Sequence, residues 1–133
     1  MFSLTVCDHI MIAHSFQGAE FGPAQRLHGA TYAVEAEFRA PKLDHHNLLI
    51  DIGLAKTELR RILDSVDYHN LDGLPALAGQ NTTTEYMAHH IFTKLAQACR
   101  DGMLGDGGRA VAALKVLLRE SPLAWAAFEG PIA

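Results

Sequence analysis

The chain has 133 residues, of which 49% are hydrophobic and 20% are charged, and its formal net charge is −4 with histidine neutral. This length predicts a single domain over residues 1–133, with a core large enough to fold without disulfide bonds. The negative charge disfavours a nucleic-acid partner. The sequence contains no run of about eighteen apolar residues, so no membrane span is predicted. With only Cys7 and Cys99 and no basic segment at the N-terminus, we expect a cytoplasmic protein.

Two segments near the N-terminus have the apolar spacing of β-strands. Residues 4–14 carry an imperfect alternation, and residues 30–39 alternate regularly between apolar and polar side chains. The second pattern is typical of an antiparallel sheet with one buried and one hydrated face. Residues 15–29 separate the two segments, and their glycines and proline predict a loop.

Two helices are predicted in the middle of the chain. Residues 54–66 have apolar side chains at helical spacing, and residues 67–80 form a polar loop after them. The pattern Thr82-x-x-Glu85 is typical of a capping box and predicts the start of the second helix. Gly102 is positioned to end that helix.

The C-terminal part predicts a hairpin. Residues 105–108 have the composition of a turn, and the short apolar runs 110–119 and 123–128 flank a Ser-Pro pair. Four strands around two central helices indicate an α+β domain, with a four-stranded antiparallel sheet and both helices on one face. Such a sheet has two open edges, and pairing with other copies of the chain would close it into a barrel.

Histidines at the ends of the first two strands are candidate metal ligands. His14 ends the first predicted strand and His28 precedes the second. Two histidines at positions i and i+2 of a strand would face the same zinc ion, but position 30 is an alanine. We therefore interpret His14 and His28 as uncoordinated polar side chains near a pocket. Cys7 and Cys99 are interpreted as small buried hydrophobic residues.

The loop after the first helix contains a candidate acid–base group. Asp67, Tyr68 and His69 are consecutive in it. An aspartate next to a histidine can orient the imidazole for proton transfer, whereas a turn aspartate is the simpler interpretation.

Polar side chains at the start of the second helix and the end of a late strand suggest a ligand site. Thr83, Thr84 and Glu85 would cap the helix, and its free backbone N–H groups would hold a polar ligand. Glu120 ends an apolar strand, where a carboxylate can accept two hydrogen bonds from the planar N–H/NH₂ edge of a guanidine-like heterocycle.

Six short strings, taken in order, resemble the 6-pyruvoyl-tetrahydropterin synthase family, which includes the bacterial 6-carboxy-tetrahydropterin synthases. The strings are Ile12-Ala13-His14, Arg26-Leu27-His28-Gly29, Leu49-Ile50-Asp51, Val66-Asp67-Tyr68-His69-Asn70-Leu71, Thr83-Thr84-Glu85 and Arg119-Glu120-Ser121. The resemblance covers nearly the whole chain. It implies the tunnelling fold (T-fold), in which trimers close a β-barrel, two trimers stack as a homohexamer, and active sites lie between subunits.

The resemblance also implies a zinc site and a catalytic thiol that this chain does not reproduce. The family holds zinc with three histidines, of which His14 and His28 are present and the third position is Ala30. The position of the family's catalytic cysteine is Ala24. We therefore expect neither zinc nor another cofactor, with one alternative: Glu20 or His69 could supply the third zinc ligand. We predict that the family's phosphate-eliminating lyase activity is absent.

The acid–base pair of the family is altered as well. Asp67 matches the aspartate of the family's Asp-His pair, but Tyr68 stands at the histidine position. Tyr68, the neighbouring His69 and Glu20 are the candidates for altered acid–base chemistry. Glu20 qualifies because it lies in the loop where the family has its cysteine.

The ligand-binding residues of the family are retained, and the function follows from them. The resemblance implies that Glu120 holds the N–H and NH₂ edge of a pterin ring, with Thr83, Thr84 and Glu85 assisting. The leading hypothesis is a homologue that binds a pterin-like molecule at a subunit interface without zinc-dependent synthase activity. Two alternatives stay open: an enzyme with altered chemistry on a pterin, and a structural or regulatory oligomer that binds no pterin.

Overall fold

The computed structural model describes residues 1–132, which form one five-stranded sheet, three α-helices and three short 3-10 helices. The strands are β1 (Phe2–His14), β2 (His28–Ala40), β3 (His69–Asn70), β4 (Ala113–Ser121) and β5 (Ala124–Pro131). The helices are α1 (Ile52–Asp64), α2 (Thr84–Arg100) and α3 (Gly105–Arg109). The order in the sheet is β3-β1-β2-β4-β5, and every pair is antiparallel except β1 with β3. The predicted α+β fold is confirmed; the sheet was predicted with four antiparallel strands, and the structure adds the short parallel strand β3.

The sheet has a helix-covered face and an open face. On β2, Tyr32, Val34, Ala36 and Phe38 are buried toward the helices, and the residues between them lie on the open face. This is the alternation that the sequence predicted. β1 and β2 pair without interruption from Phe2↔Ala40 to His14↔His28, so residues of equal parity on the two strands share a face.

Both main helices begin at a side-chain cap. The Asp51 carboxylate accepts a hydrogen bond from the Leu54 N–H at 3.1 Å, so α1 begins two residues before the predicted start. The Thr83 hydroxyl accepts a hydrogen bond from the Tyr86 N–H at 3.2 Å. The prediction of Thr82 as the cap is therefore wrong by one residue. The Thr82 side chain is buried, and its hydroxyl is hydrogen-bonded to His14 Nδ1.

Three other local predictions are corrected by tertiary packing. The predicted loop 67–80 contains β3, which pairs in parallel with Ile12 and Ala13 of β1. The predicted turn 105–108 is the start of α3, where Gly107 lies so near the Leu49 carbonyl oxygen that an added Cβ would be 3.0 Å from it. Cys7 is exposed on the open face rather than buried.

The second cysteine, Cys99, lies in the core. Cys99 is buried as predicted, and burial raises its thiol pKa to about 11.

Within the described residues, β3 covers only a short part of the β1 edge, and β5 lies at the other edge of the sheet. No helix in residues 1–132 is both long and apolar enough to cross a membrane. Closure of the sheet into an oligomeric barrel remains a prediction.

Candidate functional site

The two predicted histidines meet at one end of the sheet. His14 ends β1, His28 begins β2, and the two residues are paired directly across the strands on the helix-covered face. Their ring centroids are 4.6 Å apart. Phe16 packs on both rings, at 4.6 Å from His14 and 5.5 Å from His28. The pair is therefore a defined structural unit, which we call the histidine pair.

Each imidazole of the histidine pair has its Nδ1 atom in a hydrogen bond. His14 Nδ1 lies 3.0 Å from the Thr82 hydroxyl, and His28 Nδ1 lies 2.9 Å from the Arg26 carbonyl oxygen. Because a carbonyl oxygen only accepts, His28 Nδ1 donates, and its Nε2 is the basic nitrogen. Burial, and next the neighbouring His28, lower the pKa of His14. The environment thus favours a neutral His14 imidazole.

The donor set of the histidine pair does not fit the zinc ion that the family resemblance implies. Ala30 follows His28 on the same strand face, and its methyl group offers no donor atom. Catalytic zinc sites usually use three protein ligands. In the part of the chain that the structure describes, no group of three His, Cys, Asp or Glu side chains is arranged to hold a metal ion. Neither Glu20 nor His69 therefore supplies a third ligand within one chain.

The loop between β1 and β2 carries Glu20 and Ala24. Glu20 is exposed, and its carboxylate folds over Gly18, where an added Cβ would lie 2.7 Å from Oε1. Gly18 has a φ of 135°, a conformation that glycine tolerates and other residues avoid. The Ala24 carbonyl oxygen accepts a hydrogen bond from the Phe16 N–H at 3.0 Å. The Ala24 methyl group offers no group that exchanges a proton, in line with the predicted loss of the thiol.

Asp67 is engaged in the fold rather than in an acid–base pair. Its Oδ2 accepts a hydrogen bond from Arg60 Nη2 at 2.7 Å, and its Oδ1 accepts one from the Met11 N–H at 2.9 Å. Its side chain is only 13% exposed. His69 Nδ1 lies 2.8 Å from the backbone carbonyl oxygen of Asp67, not from the carboxylate. Asp67 therefore ties the segment after α1 to β1.

Tyr68 and His69 lie beside the end of β1 and face solvent. Tyr68 has a positive φ of 59° and is 79% exposed. Its backbone N–H donates a hydrogen bond to the Met11 carbonyl oxygen at 2.7 Å. His69 pairs with Ile12 at the start of β3 and is also exposed. Both side chains are accessible to a ligand or to a second copy of the chain, and neither contacts the carboxylate of Asp67.

A second polar group lies around the phenol of Tyr32. The regular β2–β4 pairing ends at Ala33↔Arg119, so Tyr32 and Glu120 are the next opposed positions. Val116 and Leu118 of β4 are buried toward the helices, and Glu120 follows them at a register irregularity between Arg119 and Ser121. The sequence prediction did not include Tyr32, because its place in the alternation of β2 marked it only as a core residue.

Electrostatics connect Tyr32 to the predicted ligand residues. Burial raises the pKa of the Tyr32 phenol; a hydrogen bond with the Thr84 side chain opposes this, and the Glu120 and Glu85 carboxylates raise the pKa further. The phenol is thus a common neighbour of three predicted residues. We call Glu120, Tyr32, Thr84 and Glu85 the anchor cluster. The fourth predicted residue, Thr83, uses its hydroxyl to cap α2 beside this cluster.

The N-terminal end of α2 joins the anchor cluster to the histidine pair. Thr82, which contacts His14, immediately precedes Thr83 and Thr84. Asn81 fastens the β1–β2 loop to the same segment: its Oδ1 accepts from the Gln17 N–H at 2.8 Å, and its Nδ2 donates to the Gln17 carbonyl oxygen at 2.9 Å. One short stretch of chain therefore places both polar groups at the same end of the domain.

Comparison with known proteins assigns the family. The family model of 6-pyruvoyl tetrahydropterin synthase matches residues 3–131. The chain belongs to this family. Over 45 residues it is 38% identical to the 6-carboxy-5,6,7,8-tetrahydropterin synthase of Helicobacter pylori strain J99; this match spans 34% of the chain and 22% of that protein, well under two thirds of its length.

Solved structures of this synthase family share the fold. The 6-pyruvoyl tetrahydropterin synthase of Caenorhabditis elegans superposes with a TM-score of 0.80 at 23% identity, over 97% of this chain and 95% of that chain. The Plasmodium vivax enzyme superposes with a TM-score of 0.80 at 19% identity, over 98% of both chains. In two further structures of the Plasmodium vivax synthase, a catalytic glutamate is replaced by alanine or cysteine.

Proposed function

We propose that this synthase-family protein binds a pterin-like heterocycle through Glu120 and lacks the zinc-dependent synthase activity of its family. The observation that carries the proposal is the contrast within one end of the domain. The anchor cluster keeps a complete set of polar side chains, whereas the histidine pair is followed by Ala30. Such a protein retains the residues that would hold a pterin ring but lacks those that would activate the side chain of the pterin.

The carboxylate of Glu120 supplies the recognition. It is exposed at the end of β4, and its two oxygens can accept two parallel N–H donors. A pterin presents such an edge, with a ring N–H beside an amino group. Thr84 and Glu85, in the first turn of α2, contribute further polar groups, and free N–H groups at a helix start hold polar ligands well.

The loss of synthase chemistry follows from two positions. Ala30 leaves the histidine pair one protein ligand short of a catalytic zinc site. Ala24 stands where the family has its thiol, and loss of a general acid or base costs on the order of 10²- to 10⁴-fold in rate. We therefore propose that the protein works without zinc or another cofactor.

The ligand site is proposed to lie between subunits of a homohexamer made of two trimers. The free strand edges of one chain favour pairing with further copies. Leu123 is 93% exposed and Trp125 is 53% exposed on the β4–β5 hairpin. Apolar side chains of this size at a sheet edge are typical of a contact surface. The exposed Tyr68 and His69 are available for contact with a neighbouring subunit.

Titration of the purified protein with neopterin and sepiapterin, followed by pterin fluorescence, tests the proposal. We expect saturable binding that Glu120→Gln weakens roughly tenfold to a hundredfold, because hydrogen bonds to a charged acceptor are lost. Glu129→Gln is the matched control, since Glu129 is an exposed carboxylate on β5 that lies opposite Lys115 in the strand register and within 3.8 Å of the Arg39 guanidinium. Equal affinity of the Glu120 and Glu129 variants contradicts the assignment of Glu120.

A second candidate function is an enzyme with altered chemistry on a pterin. It is favoured by one comparison: the Plasmodium vivax synthase has a catalytic glutamate, and this chain has Glu20 in the loop beside the histidine pair. Glu20, Tyr68 or His69 would then exchange protons with the ligand. Turnover of 7,8-dihydroneopterin triphosphate by metal-free protein, lost in Glu20→Gln, would replace the first proposal with this one.

The third function considered is a structural or regulatory oligomer that binds no pterin. It predicts a hexamer by light scattering, no fluorescence change with either pterin, and no effect of Glu120→Gln. That set of results would reject both ligand-binding functions.

A further inference from the structure

We propose that Tyr32 is a positioning residue that orients the carboxylate of Glu120 toward the ligand. The inference rests on the proposed function and deepens it. Tyr32 itself is a core residue that acts through Glu120 and Thr84. No role for this side chain follows from its place in the hydrophobic alternation of β2.

The strand register carries the first step. β2 and β4 pair regularly up to Ala33↔Arg119, which makes Tyr32 and Glu120 the next opposed positions. Tyr32 has the parity of the helix-covered face, and Glu120 lies at the irregularity of β4 between Arg119 and Ser121, where a bulge can re-aim a side chain. Side chains at opposed positions of antiparallel strands lie close enough to interact. Tyr32 is therefore the position of β2 that lies next to Glu120 across the strands.

Burial carries the second step. Tyr32 is only 1% exposed, so its ring is packed in the core. A buried phenol needs a hydrogen-bond partner, and the Thr84 hydroxyl of α2 is the neighbouring group that would donate to it. The ring is thereby held on one side by the core and at its tip by α2, which leaves the phenol little freedom to move.

The chemistry of a neutral phenol carries the third step. Burial together with the Glu120 and Glu85 carboxylates keeps the phenol protonated, so it has an O–H to donate. Glu120 is exposed, and an exposed carboxylate side chain that has no hydrogen-bond partner samples several rotamers. A hydrogen bond from the phenol to one carboxylate oxygen would select the rotamer that faces the ligand. The ligand would then lose less binding free energy to the ordering of Glu120.

The test is a double-mutant cycle on neopterin affinity with Tyr32→Phe and Glu120→Gln. Phenylalanine fills the same space and removes only the phenol oxygen. We expect Tyr32→Phe to weaken neopterin binding roughly three- to tenfold, the cost of ordering one side chain, in the wild-type background. In the Glu120→Gln background, which lacks the acidic acceptor, we expect no further loss. A merely structural role would lower affinity equally in both backgrounds.

Glu129→Gln provides a second background should Tyr32→Phe lower the unfolding midpoint. Glu129 is an exposed carboxylate on β5 and takes no part in the anchor cluster. We expect the loss caused by Tyr32→Phe to persist in the Glu129→Gln background and to disappear only in the Glu120→Gln background. A loss of the same size in both glutamate backgrounds would reflect altered packing and overturn the positioning role.

Failure of this inference is distinguishable from failure of the proposed function. If the wild-type protein binds neopterin through Glu120 but Tyr32→Phe binds as well as wild type, Tyr32 has no positioning role. If the wild-type protein does not bind either pterin, the proposed function itself is rejected together with the inference.

Discussion

The histidine pair and the anchor cluster lie at one end of the same sheet and differ in what their polar atoms do. In the histidine pair, both Nδ1 atoms are engaged by Thr82 and Arg26, and Phe16 covers the rings. In the anchor cluster, the Glu120 carboxylate is exposed. The position of a polar group in the fold therefore does not by itself give the group the donor atoms that its chemistry requires. The strand register brings both groups together, but Ala30 leaves the first without a third donor.

The same contrast distinguishes two carboxylates. Asp67 and Glu120 were both predicted as site residues. Asp67 is occupied by Arg60 and the Met11 N–H, whereas Glu120 lies at an exposed strand end. A carboxylate whose oxygens are already paired contributes to folding, and an unpaired one at the surface can accept ligand donors.

The largest expected effect comes from restoring the missing donor of the histidine pair. Ala30→His places a third imidazole on the same strand face as His28. The hydrogen bonds from Nδ1 of His14 to Thr82 and from Nδ1 of His28 to Arg26 already hold both rings, as hydrogen bonds to the outer ring nitrogen do in zinc sites. We expect elemental analysis to rise from about zero to about one zinc ion per chain, the stoichiometry of a three-histidine site.

Thr31→His is the control for this substitution. Thr31 is the neighbouring residue and points to the open face, so its imidazole cannot reach the histidine pair. About one zinc ion in the unmodified protein would contradict the absence of a complete site. No zinc in Ala30→His would show that the remaining ligands are not oriented for a metal.

A smaller effect is expected when the occupied carboxylate is neutralised. Asp67→Asn removes the ion pair with Arg60 in a mostly buried position. We expect the free energy of unfolding to fall by about 1–2 kcal/mol, since Arg60 is partly exposed and its charge is screened. Urea unfolding followed by circular dichroism measures this change.

Asp64→Asn separates the role of Asp67 from the general acidity around Arg60. Asp64 also contacts Arg60, at 2.8 Å, but its side chain is 67% exposed. We expect this variant to lose less than about 0.5 kcal/mol. Equal stability of the two variants would mean that Asp67 does not anchor the segment to β1, and its assignment as a structural residue would be withdrawn.

Local chemistry explains which elements were predictable. The alternation in β2 and the apolar spacing of α1 follow from burial on one side, and both were found from sequence. β3 was missed because two residues carry no periodicity and exist as a strand only through pairing with Ile12 and Ala13. The cap of α2 was misplaced because Thr82 and Thr83 are equivalent locally, and contact with His14 assigns them different roles.

By itself, the sequence determined the α+β class, the residue types available at the site, and the alanines at positions 24 and 30, because these depend only on which side chain stands where. The tertiary structure decided which polar atoms are free. It engaged Asp67 with Arg60, separated Cys7 from the core, and set Tyr32 opposite Glu120. Those outcomes depend on strand register and on contacts between residues distant in the chain, which local patterns do not specify.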